Sequence, residues 1–384
     1  VTKPVVIVGS GLAGYAVARE FRKLNSEQEL VIITADGGES YSKPMLSNAF
    51  SAGKDKAALT LASAPEMAEK LNATLLTESR VRAIEVNQRQ LWLDGAELSY
   101  DKLVLAVGAS ALKIEYGGDA ADAVLQINDL DDYQRFFVHL QSAQSVLVIG
   151  TGLVGCEFAN DLALAGKQVT LLGRAATALN RLLPEEIAMT LQQRLAQAGV
   201  DCQLSNQVMS INHAEQGYAV QLADGTCLQV DLILSALGLQ ANLALAKQAG
   251  LQTERGICVD RTLRSSQQGV YALGDCAQVE GLHLPFVLPL MKSSQALAKT
   301  LVGVETKVVY PAMPVVVKTK ALPLVISPPQ VKGCDLELER LEQGQRALYW
   351  GQHRQLHGFV LSGSCVMEKS RWLKELPAWL AEDE

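Results

Sequence analysis

Two glycine-rich hexapeptides hold the residues of this sequence best suited to bind a charged ligand. Gly9-Ser10-Gly11-Leu12-Ala13-Gly14 and Gly150-Thr151-Gly152-Leu153-Val154-Gly155 both read G-x-G-x-x-G and begin 141 residues apart. In such a loop the first glycine permits a tight turn, the second lets the backbone approach a pyrophosphate, and the third lets helix and strand pack closely. A helix starting inside the loop then presents free N–H groups to the phosphates. An acid about 20 residues further on accepts hydrogen bonds from a ribose. Asp36, 22 residues past Gly14, stands at that spacing, two residues beyond Thr34 at the end of an apolar run.

Thiol and metal chemistry lack a comparable pattern. The cysteines, Cys156, Cys202, Cys227, Cys258, Cys276, Cys334 and Cys365, include no C-x-x-C pair, which excludes a dithiol redox motif and a zinc ribbon. Cys156 and Cys276 read as small packing residues. His353 and His357 would lie some 13 Å apart on one strand, and without a third ligand no metal site is expected.

Each loop needs a strand before it and a helix after it. Val5–Val8 and Ser145–Ile149 are apolar, β-favouring runs. The stretch after Gly14 has apolar residues at helical spacing, and Cys156–Ala165 reads as a helix closed by Gly166. Leu30–Thr34 and Gln168–Leu172 supply the next strands. Both loops therefore sit in strand–turn–helix units, which argues against glycine turns without a ligand. Two dinucleotide sites in one chain suit hydride transfer from a nicotinamide to a flavin.

The 384 residues suit two or three domains, and 48% hydrophobic content allows real cores. With 34 Lys+Arg against 41 Asp+Glu the net charge is −7, the wrong sign for a nucleic-acid binder. No apolar run approaches the roughly 18 residues of a membrane span. The apolar strand beginning at Pro4 leaves no room for a signal peptide, so a soluble cytoplasmic protein is expected.

Further motifs add a resemblance. Leu103–Ala109 is a further apolar strand leading to Gly108, and Val270-Tyr271-Ala272-Leu273-Gly274-Asp275 another, ending in Gly-Asp. Tyr41-Ser42-Lys43-Pro44-Met45-Leu46-Ser47 contains Lys-Pro-x-x-Ser and no cysteine, and Glu157 follows Gly155 by two. Along nearly its whole length the chain resembles the two-dinucleotide-binding flavoprotein reductases, and among them the rubredoxin reductases. The resemblance implies an α/β fold with two Rossmann-like dinucleotide-binding domains, for FAD and NAD(P), plus a C-terminal α+β interface domain. The implied segments are 1–111 and 240–305 for FAD, 112–239 for NAD(P), and 306–384 for the interface domain.

It also implies roles for residues. Tightly bound, non-covalent FAD would be held by Gly9, Ser10, Gly11, Leu12, Ala13, Gly14, Thr34, Asp36, Ser42, Lys43, Pro44, Val81, Ala106, Gly108, Gly274, Asp275 and Lys320. NAD(P)H would lie on Gly150, Gly152, Leu153, Val154, Gly155, Glu157 and Arg174, with Gly238 nearby. Lys43 and Glu157 would be catalytic, as a buried ion pair beside the flavin. Electrons would pass from NAD(P)H through FAD to rubredoxin, feeding an alkane hydroxylase or similar iron enzyme. Reduction of a ferredoxin or flavorubredoxin, and a non-enzymatic role that keeps FAD for signalling or interaction, stay open here.

Two finer expectations concern charge. An NADH-specific site would place an acid at about Gly173; with Gly173-Arg174 there instead, a 2′-phosphate is not repelled and NADPH use is expected, while the resemblance implies NADH as the first donor. Residues 306–384 carry 10 basic and 9 acidic residues against 24 and 32 in residues 1–305, so Lys318 and Lys320 are expected to rim the docking site for an acidic rubredoxin. Trp372–Leu376 and Trp379–Leu380 are expected to pack on the interface domain.

Overall fold

The computed structural model describes residues 3–382. Val5–Val8, buried on both faces, is the middle of a five-stranded parallel sheet ordered Val270–Ala272, Lys102–Leu105, Val5–Val8, Leu30–Ile33, Thr74–Leu76. Parallel strands of this kind are covered on both sides, which explains their unbroken apolar runs. The strand drawn from residue 270 shows how chain late in the sequence completes the first unit.

The second unit repeats the design. Leu125–Gln126, Leu232–Ser235, Ser145–Ile149, Gln168–Gly173 and Val200–Leu204 form another parallel sheet. The chain's exit from the first unit and its return lie side by side, because Ala109–Ala111 pairs antiparallel with Leu239–Ala241. Each unit also carries a three-stranded antiparallel sheet, at Val81–Ser99 and Val208–Val230.

The C-terminal segment is an antiparallel sheet ordered Val315–Val317, Leu324–Ser327, Leu356–Gly363, Gly344–Trp350, Asp335–Leu341. Its last strand was not read from the sequence: Asp335-Leu336-Glu337-Leu338-Glu339 alternates polar and apolar residues, but the edge is exposed along nearly all its length and carries no unbroken apolar run. Trp372 is buried, with the guanidinium of Arg371 over its ring at 4.5 Å, and Trp379 and Leu380 return to bond the backbone of Tyr310. One apolar cluster joins the parts: Leu46, Ala49 and Phe50 of the first unit, Phe158 and Leu162 of the second, and Val317, Leu322 and Ile326 of the third are all buried in it. At its centre Phe50 stacks on Tyr133 with ring centroids 4.6 Å apart.

Candidate functional site

At the carboxyl ends of the strands, each glycine loop turns its chain into a helix, at Leu12–Leu24 and Leu153–Leu164. Gly9 and Gly150 have φ of +111° and +121°, a region that side chains disfavour. The same bond fixes both turns, from Gly9 N–H to the Ile33 carbonyl and from Gly150 N–H to the Leu172 carbonyl, each 2.8 Å. Through that bond Asp36 in the first unit corresponds to Ala175 in the second, and Thr34 to Gly173.

A cavity of about 1410 Å³ runs across the molecule between the two loops. That exceeds the roughly 300–1,000 Å³ of an ordinary small-molecule pocket. Gly9–Ala13, Thr34 and Asp36 line one end; Lys43, Pro44, Ala106, Gly108 and Asp275 the middle; Leu153, Val154, Glu157 and Phe158 the other. Val81 and Gly238 also line it, and Met313–Val316 with Lys318 close one side. Gly14, Gly150, Gly152, Gly155 and Gly274 shape the turns behind it, and Ser42 precedes the short helix Lys43–Asn48.

The geometry departs from expectation at Lys43, Glu157 and Lys318. Lys43 and Glu157 do not pair. The Lys43 ammonium donates to Asn128 Oδ1 at 2.8 Å, while Glu157 pairs with Lys318 at 3.3 Å. Glu157 is buried among donors from elsewhere in the chain: its Oε1 accepts from Lys318 N–H at 2.8 Å and its Oε2 from Ser47 Oγ at 2.5 Å. A buried carboxylate takes the partner whose backbone also satisfies it, and the strand end at Lys318 offers both. Lys318 Nζ further donates to the Pro44 carbonyl, so this lysine points inward and supplies no rim charge. Lys320 is exposed and Arg174 is exposed, and neither lines the cavity.

Lys43 has no ion-pair partner among the described residues, although carboxylates lie near it. Burial pushes its ammonium below the usual lysine range, opposed by Asp275, Asp129 and Asp132. At the first loop, Asp36 Oδ1 is committed to Thr34 Oγ1 at 2.6 Å and Gly38 N–H at 3.0 Å, while no hydrogen bond among the described residues engages its Oδ2. None of the cysteines lines the cavity. Burial pushes Cys156 up to about 12 and Cys276 up to about 11, so both stay protonated at neutral pH.

Sequence reasoning overlooked a row of acceptors on the second helix. Asp161, buried, accepts from Phe50 N–H at 2.8 Å and Ser51 Oγ at 2.5 Å, and Asn160 Oδ1 accepts from Ala321 N–H at 3.2 Å. With Glu157 they occupy positions i, i+3 and i+4, one face of the helix. The available signal was an acid inside an otherwise apolar helix. Asn128 left no such trace.

Two family profiles match the chain: the pyridine nucleotide-disulphide oxidoreductases over residues 3–299, and the rubredoxin-binding C-terminal domain over residues 307–376. It is 43% identical to the rubredoxin-NAD(+) reductase of Alcanivorax borkumensis, covering 98% of this chain and 99% of that protein. Identity to the rubredoxin-NAD(+) reductase of Acinetobacter baylyi is 44%, over 97% of each. The crystal structure of the covalent putidaredoxin reductase-putidaredoxin complex superposes with a TM-score of 0.87 at 26% identity, covering 98% of this chain and 94% of that one.

Proposed function

The chain belongs to the pyridine nucleotide-disulphide oxidoreductase family, and we propose that it carries electrons from NADH through FAD to rubredoxin, as a rubredoxin–NAD(+) reductase. One observation carries this reading above the others: a single cavity reaches from the first glycine loop to the second nucleotide helix and is closed by the segment that matches the rubredoxin-binding domain.

The first loop fits FAD on its own features. A Cβ on Gly9 would meet the Ala106 carbonyl oxygen at 2.3 Å, whereas Gly11 has no neighbour within 4 Å, so the turn is tight behind and open in front, as a pyrophosphate cradle requires. The free Oδ2 of Asp36 is an acceptor for ribose hydroxyls, and Asp275 is a second acid on the cavity wall. Bound FAD supplies two-electron chemistry toward a nicotinamide and one-electron chemistry toward an iron protein.

The chain's residues do the rest. The helices beginning at Leu12 and Leu153 hold the two pyrophosphates at their N-termini. Lys43, an ammonium without an ion-pair partner among the described residues, stabilises negative charge that develops in the cavity. Glu157 ties the nucleotide helix to the Lys43–Asn48 turn and to the C-terminal sheet, which fixes the nicotinamide end relative to the flavin end. Leu153, Val154 and Phe158 wall that end with apolar surface. We place the protein in the cytoplasm, where NADH is supplied and where the seven unpaired cysteines suit the reducing conditions. Among the described residues no helix is long and apolar enough to cross a membrane.

Anaerobic mixing with NADH should bleach the flavin, and subsequent mixing with rubredoxin should restore its colour faster than mixing with a ferredoxin. Preference for the ferredoxin would overturn the choice of partner; failure to bleach would overturn the oxidoreductase reading. A variant with all seven cysteines changed to serine, once shown to fold and hold FAD, should retain most of its electron transfer. Its inactivity would show that a thiol takes part.

The ribose end of the second site has Ala175 where the first has Asp36, so no carboxylate there repels a 2′-phosphate. NADH should remain the better donor with NADPH measurably used, and Arg174→Ala should lower kcat/KM for NADPH severalfold while sparing NADH; an unchanged ratio would remove Arg174 from nucleotide recognition. At the mouth, Phe286, Val287, Leu288 and Val316 are exposed, and the charge of Lys318 is neutralised by Glu157. Second-order reduction of rubredoxin should therefore depend only shallowly on ionic strength. A steep fall between low and physiological salt would restore charge steering as the main docking force.

A further inference from the structure

Lys43 is held by a neutral group although acids surround it. Its Nζ donates to Asn128 Oδ1 at 2.8 Å, and Asn128 is itself fixed from two sides. Its Nδ2 donates to the Ala109 carbonyl at 3.0 Å, on the strand leaving the first unit, and its N–H donates to Asp132 Oδ2 at 2.9 Å, on the first helix of the second. Two of the neighbouring carboxylates have other employment. Asp129 caps that helix by accepting from Asp132 N–H at 2.7 Å, and Asp132 also pairs with Arg135. Both Lys43 and Asn128 line the cavity.

From this arrangement we infer that Asn128 is a positioning residue that fixes the Lys43 ammonium on the cavity wall without neutralising it, and so raises the reduction potential of bound FAD. The inference rests on the reading of Lys43 given above. A carboxylate in the same place would satisfy the ammonium equally well but cancel its field at the cavity. An amide oxygen satisfies one N–H and leaves the net charge intact. The side chain spans the connection between the two nucleotide units, so it also sets where the charge sits relative to both. Without it the ammonium relaxes toward Asp275, Asp129 or Asp132, the groups that already act on it electrostatically.

The test is the two-electron midpoint potential of the FAD-loaded protein, measured for wild type, Asn128→Ala, Lys43→Met and the double variant, with FAD content and thermal unfolding as checks on integrity. Asn128→Ala changes no charge, so a merely structural role would leave the potential in place. The expected result is at least a tenfold shift of the equilibrium toward oxidised flavin, a fall of about 30 mV, with little further fall when Asn128→Ala is added to Lys43→Met. Asn128→Asp, a second variant should alanine misfold, should lower the potential in the same direction. If Lys43→Met lowers the potential but Asn128→Ala does not, or if the two effects simply add, the role of Asn128 is overturned while that of Lys43 stands. If Lys43→Met leaves the potential unchanged, the role of Lys43 falls, and this inference with it.

Discussion

Gly9→Ala should yield protein without flavin, whereas Gly150→Ala should yield yellow protein that NADH no longer reduces. Both positions have positive φ, where an L side chain costs about 1–2 kcal/mol. The larger effect is collision: an added Cβ would lie 2.3 Å from the Ala106 carbonyl oxygen at Gly9 and 2.5 Å from the Ala236 carbonyl oxygen at Gly150. Each oxygen belongs to backbone beside a sheet strand and cannot swing aside, so the loop must lift and its phosphate-facing N–H groups lose their aim. Because the loops serve different units, the defects should separate. Flavin stoichiometry from absorbance and anaerobic bleaching with NADH read the two outcomes, and dithionite confirms that the flavin in Gly150→Ala is still reducible. Retained flavin in Gly9→Ala, or normal bleaching in Gly150→Ala, would contradict the assignment of the loops.

Glu157→Ala should both destabilise the protein and slow its reduction. It deprives Ser47 Oγ, Lys318 N–H and the Lys318 ammonium of their shared acceptor. Breaking a buried pair typically costs 3–5 kcal/mol, and since 33% of the Lys318 side chain is accessible, roughly 2–4 kcal/mol is the fair expectation. Because this carboxylate ties the nucleotide helix to two other parts of the chain, kcat/KM for NADH should also fall, by roughly 10–100-fold for a displacement near 1 Å. Glu157→Gln keeps one acceptor oxygen and the side-chain volume, so it should lose less on both counts. Chemical denaturation and stopped-flow reduction measure them separately. Wild-type stability in Glu157→Ala would mean that the clasp is not made in solution.

Much of this was legible because local chemistry fixes it. A G-x-G-x-x-G between an apolar strand and a helix has few uses, and two such units prescribe two parallel sheets with ligands at their carboxyl ends. The sequence also lacks paired cysteines, and no thiol lines the cavity. Asn128, Asp161 and the partner of Glu157 were not legible. Lys43–Glu157 was a reasonable pairing by charge, but charge alone does not choose between Lys43 and Lys318. That choice depends on where the strand end after Val317 meets the nucleotide helix, a contact between residues 161 positions apart.

The sequence by itself determined the two nucleotide-binding units, their order along the chain and the chemistry they serve, because backbone conformation and phosphate recognition are properties of short segments. Only the tertiary structure decided which cation neutralises Glu157, which group holds Lys43, and that Lys318, one of the two lysines expected at the docking rim, turns inward. Those outcomes follow from burial, where each polar group must find a partner among residues brought together by packing rather than by sequence.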